Sequence, residues 1–324
     1  MLGVGGHSRS VRRIVDYLLV VPAHPSSFRL IVALTVGLAG STGACRSDQS
    51  AAEDRSGGAI ERVVCTTPSA TELVASAGGA DRIVGVDKFS TYPPRVIDLP
   101  KVGDFLGPNV ELILRLRPDL VVLDTIQSRA ATALDGAGIR ILVLEMHTVD
   151  DVKRGIETIG DALGTREAAA VSSQRMSDGI EASRARAANR SAERRPSVLL
   201  IVDRQLGGLG SLVAAGPGSF LDELLAIVGG ENALATSGIR YPKISAELVL
   251  RSNPDVIIDA VHTTDAPKAT RDWDAISISA TKTGRVFVVS DTRFVTPGPR
   301  LVSALTDMEK MVFGEPAKPA DSRQ

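Results

Sequence analysis

The chain of 324 residues is 44% hydrophobic and carries a formal net charge of −1. This length can hold two domains, and the hydrophobic content suits ordinary globular cores. The near-zero charge excludes the strong positive field of a nucleic-acid-binding protein, and two cysteines without CxxC spacing exclude a zinc ribbon or a redox pair. Aromatic residues make up only 3% of the chain, so each one is a candidate for a specific role.

The N-terminal segment has the pattern of an export signal. Arg29 precedes the apolar run LIVALTVGLAG, and small residues follow it up to Cys45. This pattern is typical of a secretory signal, and the run is too short to span a membrane comfortably. We therefore predict a signal peptide over residues 1–44 and a polar, flexible tether over residues 45–59. The sequence TGAC resembles a bacterial lipobox with Cys45 as the lipidated residue, and plain signal cleavage is the alternative.

Residues 60–148 contain the elements of a first α/β lobe. The stretch RVVCTT predicts a buried strand in which Cys65 serves as a small hydrophobic residue. A helix follows, with Ser69 and Glu72 at the spacing of a capping box and a Gly-Gly pair at its end. The later run DLVVLD is apolar and β-branched, which suits a parallel strand buried on both faces.

Residues 149–195 have the pattern of helices that connect two lobes. Apolar residues from Ile156 to Leu163 keep a helical period, and a Gly-Thr pair then interrupts it, with Thr165 as the expected N-cap of the next helix. From Arg166 onwards the chain predicts one helix of about 24 residues, or about 36 Å, which is long enough to cross between lobes.

Residues 196–314 repeat the first lobe, and residues 315–324 form a predicted disordered tail. The stretches NVELILRLRPDLVVLD and ISAELVLRSNPDVIIDA align with Glu111 on Glu247, a separation of 247 − 111 = 136 residues. In each copy an N-cap, Asn109 or Ser245, precedes a helix with this glutamate in its first turn. A proline then ends the helix and an apolar strand follows. The repeat therefore predicts two similar α/β lobes.

This order of elements resembles the helical-backbone substrate-binding proteins of ABC importers, which take up vitamin B12, ferric siderophores and heme. The resemblance rests on TTPSATELV, YPP, NVELILRLRPDLVVLD, AAGPGSFLDELLAIVGGENALA, YPKISAELVLRSNPDVIID and SDTRFVTPGPRLVSAL. It is greatest for the cobalamin branch. It implies two Rossmann-like lobes with mainly parallel sheets, joined by one long helix, and a ligand held in the cleft between them.

The resemblance also implies roles for single residues. Ligand-facing positions of the family correspond here to Tyr92, Phe105, Tyr241, Phe294 and Arg300. A few aromatic planes and one cation suit a flat or bulky ligand that carries amide or carboxylate oxygens.

By the same resemblance, Glu111 and Glu247 dock the two lobes onto an ABC permease dimer with its ATPase subunits. The expected protein is an extracytoplasmic, lipid-anchored monomer that needs no cofactor or metal site of its own. Its ligand would be a corrinoid, with a ferric siderophore or heme as alternatives. For heme, Tyr92 or His262 would be candidates for the axial ligand.

A cleft enzyme is the rival class of protein. The sequence has no GxSxG elbow, no GxxxxGK[ST] phosphate loop and no HExxH, so no enzyme is predicted. His147 and His262 lie in different lobes, and their spacing implies no metal site. Trp273 is expected to pack a helix onto the second sheet.

Overall fold

The structure, a computed structural model, describes residues 59–104, 107–190, 195–261, 263 and 265–314. The predictions for the export signal, Cys45, Phe105, His262 and the C-terminal tail fall on residues outside these ranges. Among the helices in the described ranges, none is both long and apolar enough to cross a lipid bilayer.

The first lobe is built on a four-stranded parallel sheet. Its strands are β1 (Val63–Cys65), β2 (Ile83–Val86), β3 (Leu120–Asp124) and β4 (Ile141–Leu144), in the order β2-β1-β3-β4. Its helices are α1 (Pro68–Val74), α2 (Val110–Arg115) and α3 (Ser128–Gly136). Because the strands are parallel, their carboxyl ends lie along one edge of the sheet, where α/β folds bind their ligands.

Two helices connect the lobes, α4 (Val149–Leu163) and α5 (Arg166–Ala188). The break between them is at Gly164, which has the left-handed φ of 69° that favours glycine. The prediction of a long connecting helix is confirmed by α5, which spans 23 residues. Thr165 is the N-cap residue of α5, as predicted, but its hydroxyl donates to the carbonyl oxygen of Ala77 at 2.6 Å and accepts from no amide of the helix.

The second lobe holds a six-stranded, mixed sheet. Its strands are β5 (Ser197–Arg204), β6 (Leu212–Ala214), β7 (Glu231–Asn232), β8 (Lys243–Ile244), β9 (Val256–Asp259) and β10 (Val286–Val288). The order is β10-β9-β5-β6-β8, with β7 beside β5, and only the β5–β6 and β6–β8 pairs are antiparallel. Its helices are α6 (Phe220–Val228), α7 (Ala246–Ser252), α8 (Ala266–Arg271), α9 (Ser279–Lys282) and α10 (Leu301–Phe313). The two-lobed α/β architecture is as predicted.

The central strands are buried on both faces, as their apolar runs predict. In β3, Leu120 and Val122 join the main core, while Val121 and Leu123 join a smaller outer core of the first lobe. The strands β5 and β9 alternate in the same way between the main core and an outer core of the second lobe.

The main core is continuous from one lobe to the other. It runs from the inner face of the first sheet through α1, α4, α5, α6 and α10 to the inner face of the second sheet. In this layer α4 packs against α1 and α6, and α5 packs against α6 and α10. Apolar burial on this side therefore fixes the lobes to each other and leaves the strand ends to form the opposing cleft.

The sequence repeat is also a structural repeat. The side chains of Asn109 and Ser245 accept hydrogen bonds from the amides three residues further on, at 3.0 and 3.4 Å. After the two helices, the residues before the prolines, Arg117 and Asn253, both have a positive φ, of 46° and 43°. Both predicted N-caps and the helix–proline–strand order are thereby confirmed.

Candidate ligand-binding cleft

Polar side chains line the carboxyl edge of the first sheet. Asp124 ends β3, and its Oδ1 lies 3.9 Å from Nε2 of His147, which follows β4. Thr66, directly after β1, donates from its hydroxyl to Oε1 of Gln127 at 2.6 Å. Burial raises the pKa of Asp124, and a hydrogen bond from the amide of Ile126 offsets part of that effect. These contacts connect the polar side chains into one wall along the edge of the sheet.

An ion pair crosses the cleft between the lobes. Glu72 lies on α1 of the first lobe, and Arg300 immediately precedes α10 of the second. Nη2 of Arg300 donates to Oε1 of Glu72 at 2.5 Å, and Nε donates to Oε2 at 3.0 Å. This bidentate geometry is the strongest form of the Arg–carboxylate interaction. The candidate ligand residue Arg300 is therefore held by a partner 228 residues away in sequence.

Burial dominates the electrostatics of this pair. The side chain of Glu72 is only 2% exposed. Burial raises the pKa of Glu72, and the hydrogen bonds and charge of Arg300 offset this rise only in part. Burial by itself would lower the pKa of Arg300, yet its hydrogen bonds to Glu72 prevail and raise it. At neutral pH we therefore treat Arg300 as a charged group whose main counter-charge is Glu72.

The sequence interpretation of Glu72 as a capping residue is wrong. The helix starts two residues earlier than expected, with Pro68 in its first turn and Thr67 as the N-cap, whose hydroxyl accepts from the amide of Ala70 at 3.0 Å. Ser69 is therefore inside the helix, and Glu72 has no amide to cap. A glutamate within the apolar helix SATELVA was itself a signal, because a buried carboxylate needs a partner.

Tyr92 packs on the same arginine. Its ring centroid lies 4.4 Å from the guanidinium carbon of Arg300, within the range of a cation–π interaction, and the residue is 42% exposed. The loop that carries Tyr92 is fixed by Asp87, which accepts from the amide of Phe89 at 2.9 Å and from the hydroxyl of Ser90. Tyr92 and Arg300 thus form one surface from two lobes, and their contact with a ligand stays a prediction.

Tyr241 lies on the second lobe and is half-buried. Burial raises the pKa of its phenol, although the positive charge of Arg240 and a hydrogen bond from the amide of Phe220 act in the opposite direction. Phe220 starts α6, and one turn later Oε2 of Glu223 accepts from the amide of Val149 at 2.7 Å. This second contact joins the second lobe to the start of α4.

Phe294 is placed differently from the other candidate residues. It is 1% exposed and belongs to the main core. It anchors the short helical turn Thr292–Phe294, whose Thr292 hydroxyl accepts from Nη2 of Arg300 at 3.0 Å. In this arrangement Phe294 has no surface for a ligand, so a direct contact stays a prediction that requires the turn to open.

A buried network at the carboxyl ends of β5 and β9 is structural. Oδ2 of Asp259 accepts from Nε of Arg204 at 2.7 Å and from Nε1 of Trp273 at 2.8 Å. Arg204 also donates to Asp272 at 2.7 Å and to the carbonyl oxygen of Ala269 at 2.8 Å. The prediction that Trp273 packs onto the second sheet is confirmed, since it is fully buried in the outer core of that lobe.

The repeated helices α2 and α7 present matching outer faces. Glu111 and Glu247 are exposed, and so are the leucines three residues later, Leu114 at 36% and Leu250 at 45%. Glu111 is paired in this structure with Arg115 of the next turn, at 2.5 Å. Each lobe therefore offers one carboxylate beside one leucine, in equivalent positions of the repeat.

Comparison with known proteins places these features in a family. The model of the periplasmic binding proteins matches residues 63–292. An uncharacterised ABC transporter substrate-binding lipoprotein, YvrC, of Bacillus subtilis is 30% identical, over 80% of this chain and 82% of its own length. A cobalamin-binding protein of Halobacterium salinarum is also 30% identical, over 76% of this chain and 68% of its own length. Among solved structures, the periplasmic heme-binding protein RhuT of Roseiflexus is similar with a TM-score of 0.69 and 26% identity, covering 79% of this chain and 98% of RhuT.

Asp87, which fixes the Tyr92 loop, makes the stability depend on pH. Burial raises its pKa from 3.8 to about 6. A carboxyl whose pKa is higher in the folded state stabilises the protein below its unfolded pKa, and this contribution is lost as the pH rises through about 6. The difference amounts to about 3 kcal/mol. Between pH 4 and pH 7, the unfolding free energy of the unchanged protein should therefore fall by about 2 kcal/mol more than that of Asp87→Asn, as measured by urea denaturation at each pH.

Asp98, an exposed aspartate of the same segment, gives the matched control. Asp98→Asn should keep the pH dependence of the unchanged protein. If Asp87→Asn kept it as well, the carboxyl of Asp87 would not be the titrating group.

Proposed function

The chain belongs to the periplasmic binding protein family, and from that premise we propose that it captures a corrinoid in its interlobe cleft and delivers it to an ABC importer. The observation that carries this proposal is the meeting of Tyr92 and Arg300, at 4.4 Å, from opposite lobes. A ligand seated there contacts both lobes at once. The relative of Halobacterium salinarum, whose name says that it binds cobalamin, supports the choice of ligand.

The residues at the cleft suit the chemistry of a corrinoid. Tyr92 of the first lobe is exposed, and Tyr241 of the second is half-buried, so both can offer an aromatic ring to a flat macrocycle. Arg300 can donate to the amide oxygens at the ring edge. We also assign Phe105 a place beside the ligand, by its position before α2. The chelate brings its metal already coordinated, so the protein needs no metal ligands of its own.

Heme is the second candidate ligand, because the structurally similar RhuT is a heme-binding protein. For heme, an axial bond to iron would come from Tyr92 or from His262, the two residues with suitable side chains at the expected positions. The two ligands differ in a measurable way, since heme bound through a protein side chain changes its Soret absorption and a corrinoid held by its edges needs no such bond.

Calorimetric titration of the purified protein with cobalamin, hemin and a ferric siderophore tests the ligand. We expect cobalamin alone to bind with micromolar affinity or better, which corresponds to about −8 kcal/mol. Tyr92→Ala should weaken cobalamin about tenfold, because an aromatic contact at the centre of an interface is lost. Val171→Ala, an exposed position on α5, should leave the affinity unchanged. Absence of heat with cobalamin together with a shifted Soret band with hemin would make this a heme-binding protein.

The repeated faces of α2 and α7 support docking onto a two-fold partner. A symmetric dimer presents the same surface twice, so the protein that docks on it needs two equivalent contacts. Glu111 with Leu114 and Glu247 with Leu250 are such a pair of contacts, one on each lobe. We assign them to an ABC permease dimer with its ATPase subunits, with the glutamates meeting cations of the permease. The protein itself acts as a monomer.

Charge reversal at both glutamates separates docking from ligand capture. The double variant Glu111→Arg and Glu247→Arg should abolish corrinoid uptake by cells, since like charges repel at the docking surface. Its corrinoid affinity in solution should stay within about twofold, because surface charges contribute little beyond their own contact. Glu181→Arg with Glu231→Arg, an exposed pair outside α2 and α7, is the control and should transport normally. A double variant that loses ligand binding would place the two glutamates in the fold or the pocket.

Cys45 is the proposed site of lipid attachment, which would hold the protein at the outer side of a membrane. The name of the Bacillus subtilis relative, a lipoprotein, supports this assignment. Two or more acyl chains anchor a protein stably, whereas one anchors it weakly. Cys45→Ser should therefore move the protein from the membrane fraction to the soluble fraction, detected by fractionation and mass spectrometry of the N-terminus. A serine variant that remains with the membrane would assign the anchor to the apolar segment before position 45.

A further inference from the structure

We propose that Glu72 makes the cleft select uncharged, amide-bearing chelates and reject carboxylate-bearing ones, by occupying the guanidinium of Arg300. This inference rests on the proposed function, because it concerns which members of the metal-chelate class the cleft accepts. It follows from how the donors of Arg300 are used, from the charges around them and from the burial of Glu72.

The donors of Arg300 leave no edge at which a second carboxylate could bind through both of its oxygens. A guanidinium binds a carboxylate best through two parallel N–H groups on neighbouring nitrogens. Arg300 has two such edges, Nε–Nη2 and Nη1–Nη2, and each edge uses one of the two Nη2 hydrogens. Glu72 occupies the Nε–Nη2 edge. The hydroxyl of Thr292 accepts from the same Nη2, at 3.0 Å. Nη1 has only a long contact with Asp291, at 3.5 Å, so it remains able to donate to a single carbonyl oxygen.

The charges around Arg300 give no net attraction for an anion. Glu72 and Asp291 both oppose the guanidinium charge. Arg293, which adds a second cation nearby, pairs with Asp291 at 3.1 Å and with Asp307 at 2.8 Å. Lys310 is the remaining cation of the cluster and lies 3.5 Å from Asp307. Among these described residues the three carboxylates therefore balance the three cations, and an incoming carboxylate would find no net positive charge in the cluster.

The packing of the surrounding residues fixes the position of Glu72. It belongs to α1, its neighbours on that helix are buried, and its own side chain is 2% exposed. Gly298, two residues before Arg300, gives room for it, because a Cβ at that position would lie 2.8 Å from Oε2 of Glu72. A ligand carboxylate that displaced Glu72 would leave a buried, unpaired charge, which is strongly unfavourable. An amide oxygen can bind at Nη1 without disturbing the pair.

The selection can be tested with two corrinoids that have the same ring and the same metal but differ in the charge of their side chains. Dicyanocobinamide carries amide side chains, and dicyanocobyrinic acid carries carboxylates in their place. The unchanged protein should bind cobinamide at least about 100-fold more tightly, because a like charge in a desolvated site is costly. Glu72→Gln should narrow this ratio at least about tenfold, since Arg300 then keeps an uncompensated charge. Both ratios are measured by calorimetric titration of the purified protein.

Glu223→Gln is the matched control. The stretch SATELVASAGGAD (residues 69–81) aligns with FLDELLAIVGGEN (residues 220–232), which puts Glu223 at the position of Glu72. Glu223 also reaches beyond its own lobe, because it accepts from the amide of Val149 at the start of α4. Its substitution should leave the ratio of the two affinities unchanged. A role of Glu72 only in holding the lobes together predicts instead that both variants lose both corrinoids in equal proportion.

Three results overturn the inference. The first is equal affinity of the unchanged protein for the two corrinoids. This measurement does not depend on the folding of any variant, and the result would leave the proposed function intact. The second is an unaltered ratio in a folded Glu72→Gln protein. The third is binding of neither corrinoid by the unchanged protein, which refutes the proposed function together with the selection that rests on it.

Discussion

The buried ion pair between Glu72 and Arg300 is the interaction on which the geometry of the cleft depends. The lobes are joined on one side by a continuous apolar core that runs through the connecting helices. This pair adds a polar link between α1 of the first lobe and the start of α10 in the second, and Tyr92 packs on its guanidinium. A buried carboxylate is stable only with its partner, so separating the lobes is opposed at the cleft as well as in the core. Together the two constraints leave little freedom for the lobes to move apart.

The repeat gives the two lobes the same scaffold. The cleft between them is nevertheless asymmetric. Glu72 and Glu223 occupy the same position of the repeated helix, 223 − 72 = 151 residues apart, and each reaches beyond its own lobe. Glu72 binds a guanidinium, whereas Glu223 binds a backbone amide. The outer helices, by contrast, keep the same exposed glutamate and leucine in both copies. The two copies thus remain alike on the outer surface and differ at the cleft.

Local patterns in the sequence were sufficient for the scaffold. Proline and glycine positions, the N-caps Asn109 and Ser245 and the apolar runs act within a few residues, so they predicted the helices, the strands and the two lobes. The contacts that shape the cleft were harder to predict from the sequence. The pairing of Glu72 with Arg300 spans 228 residues, and no local signal encodes it. The burial of Phe294 was likewise not predictable, because an aromatic residue near a predicted cleft can pack into the core beneath its own loop.

The unequal burial of the two partners determines where a ligand can sit. The side chain of Glu72 is almost fully buried, while that of Arg300 is 19% exposed. A ligand placed between them would have to desolvate both charges and replace a bidentate bond. A ligand placed against the open side of the guanidinium, beside Tyr92, keeps the bond and adds contacts to both lobes. On the proposed function, the pair would therefore serve as a fixed part of the cleft wall against which the ligand binds.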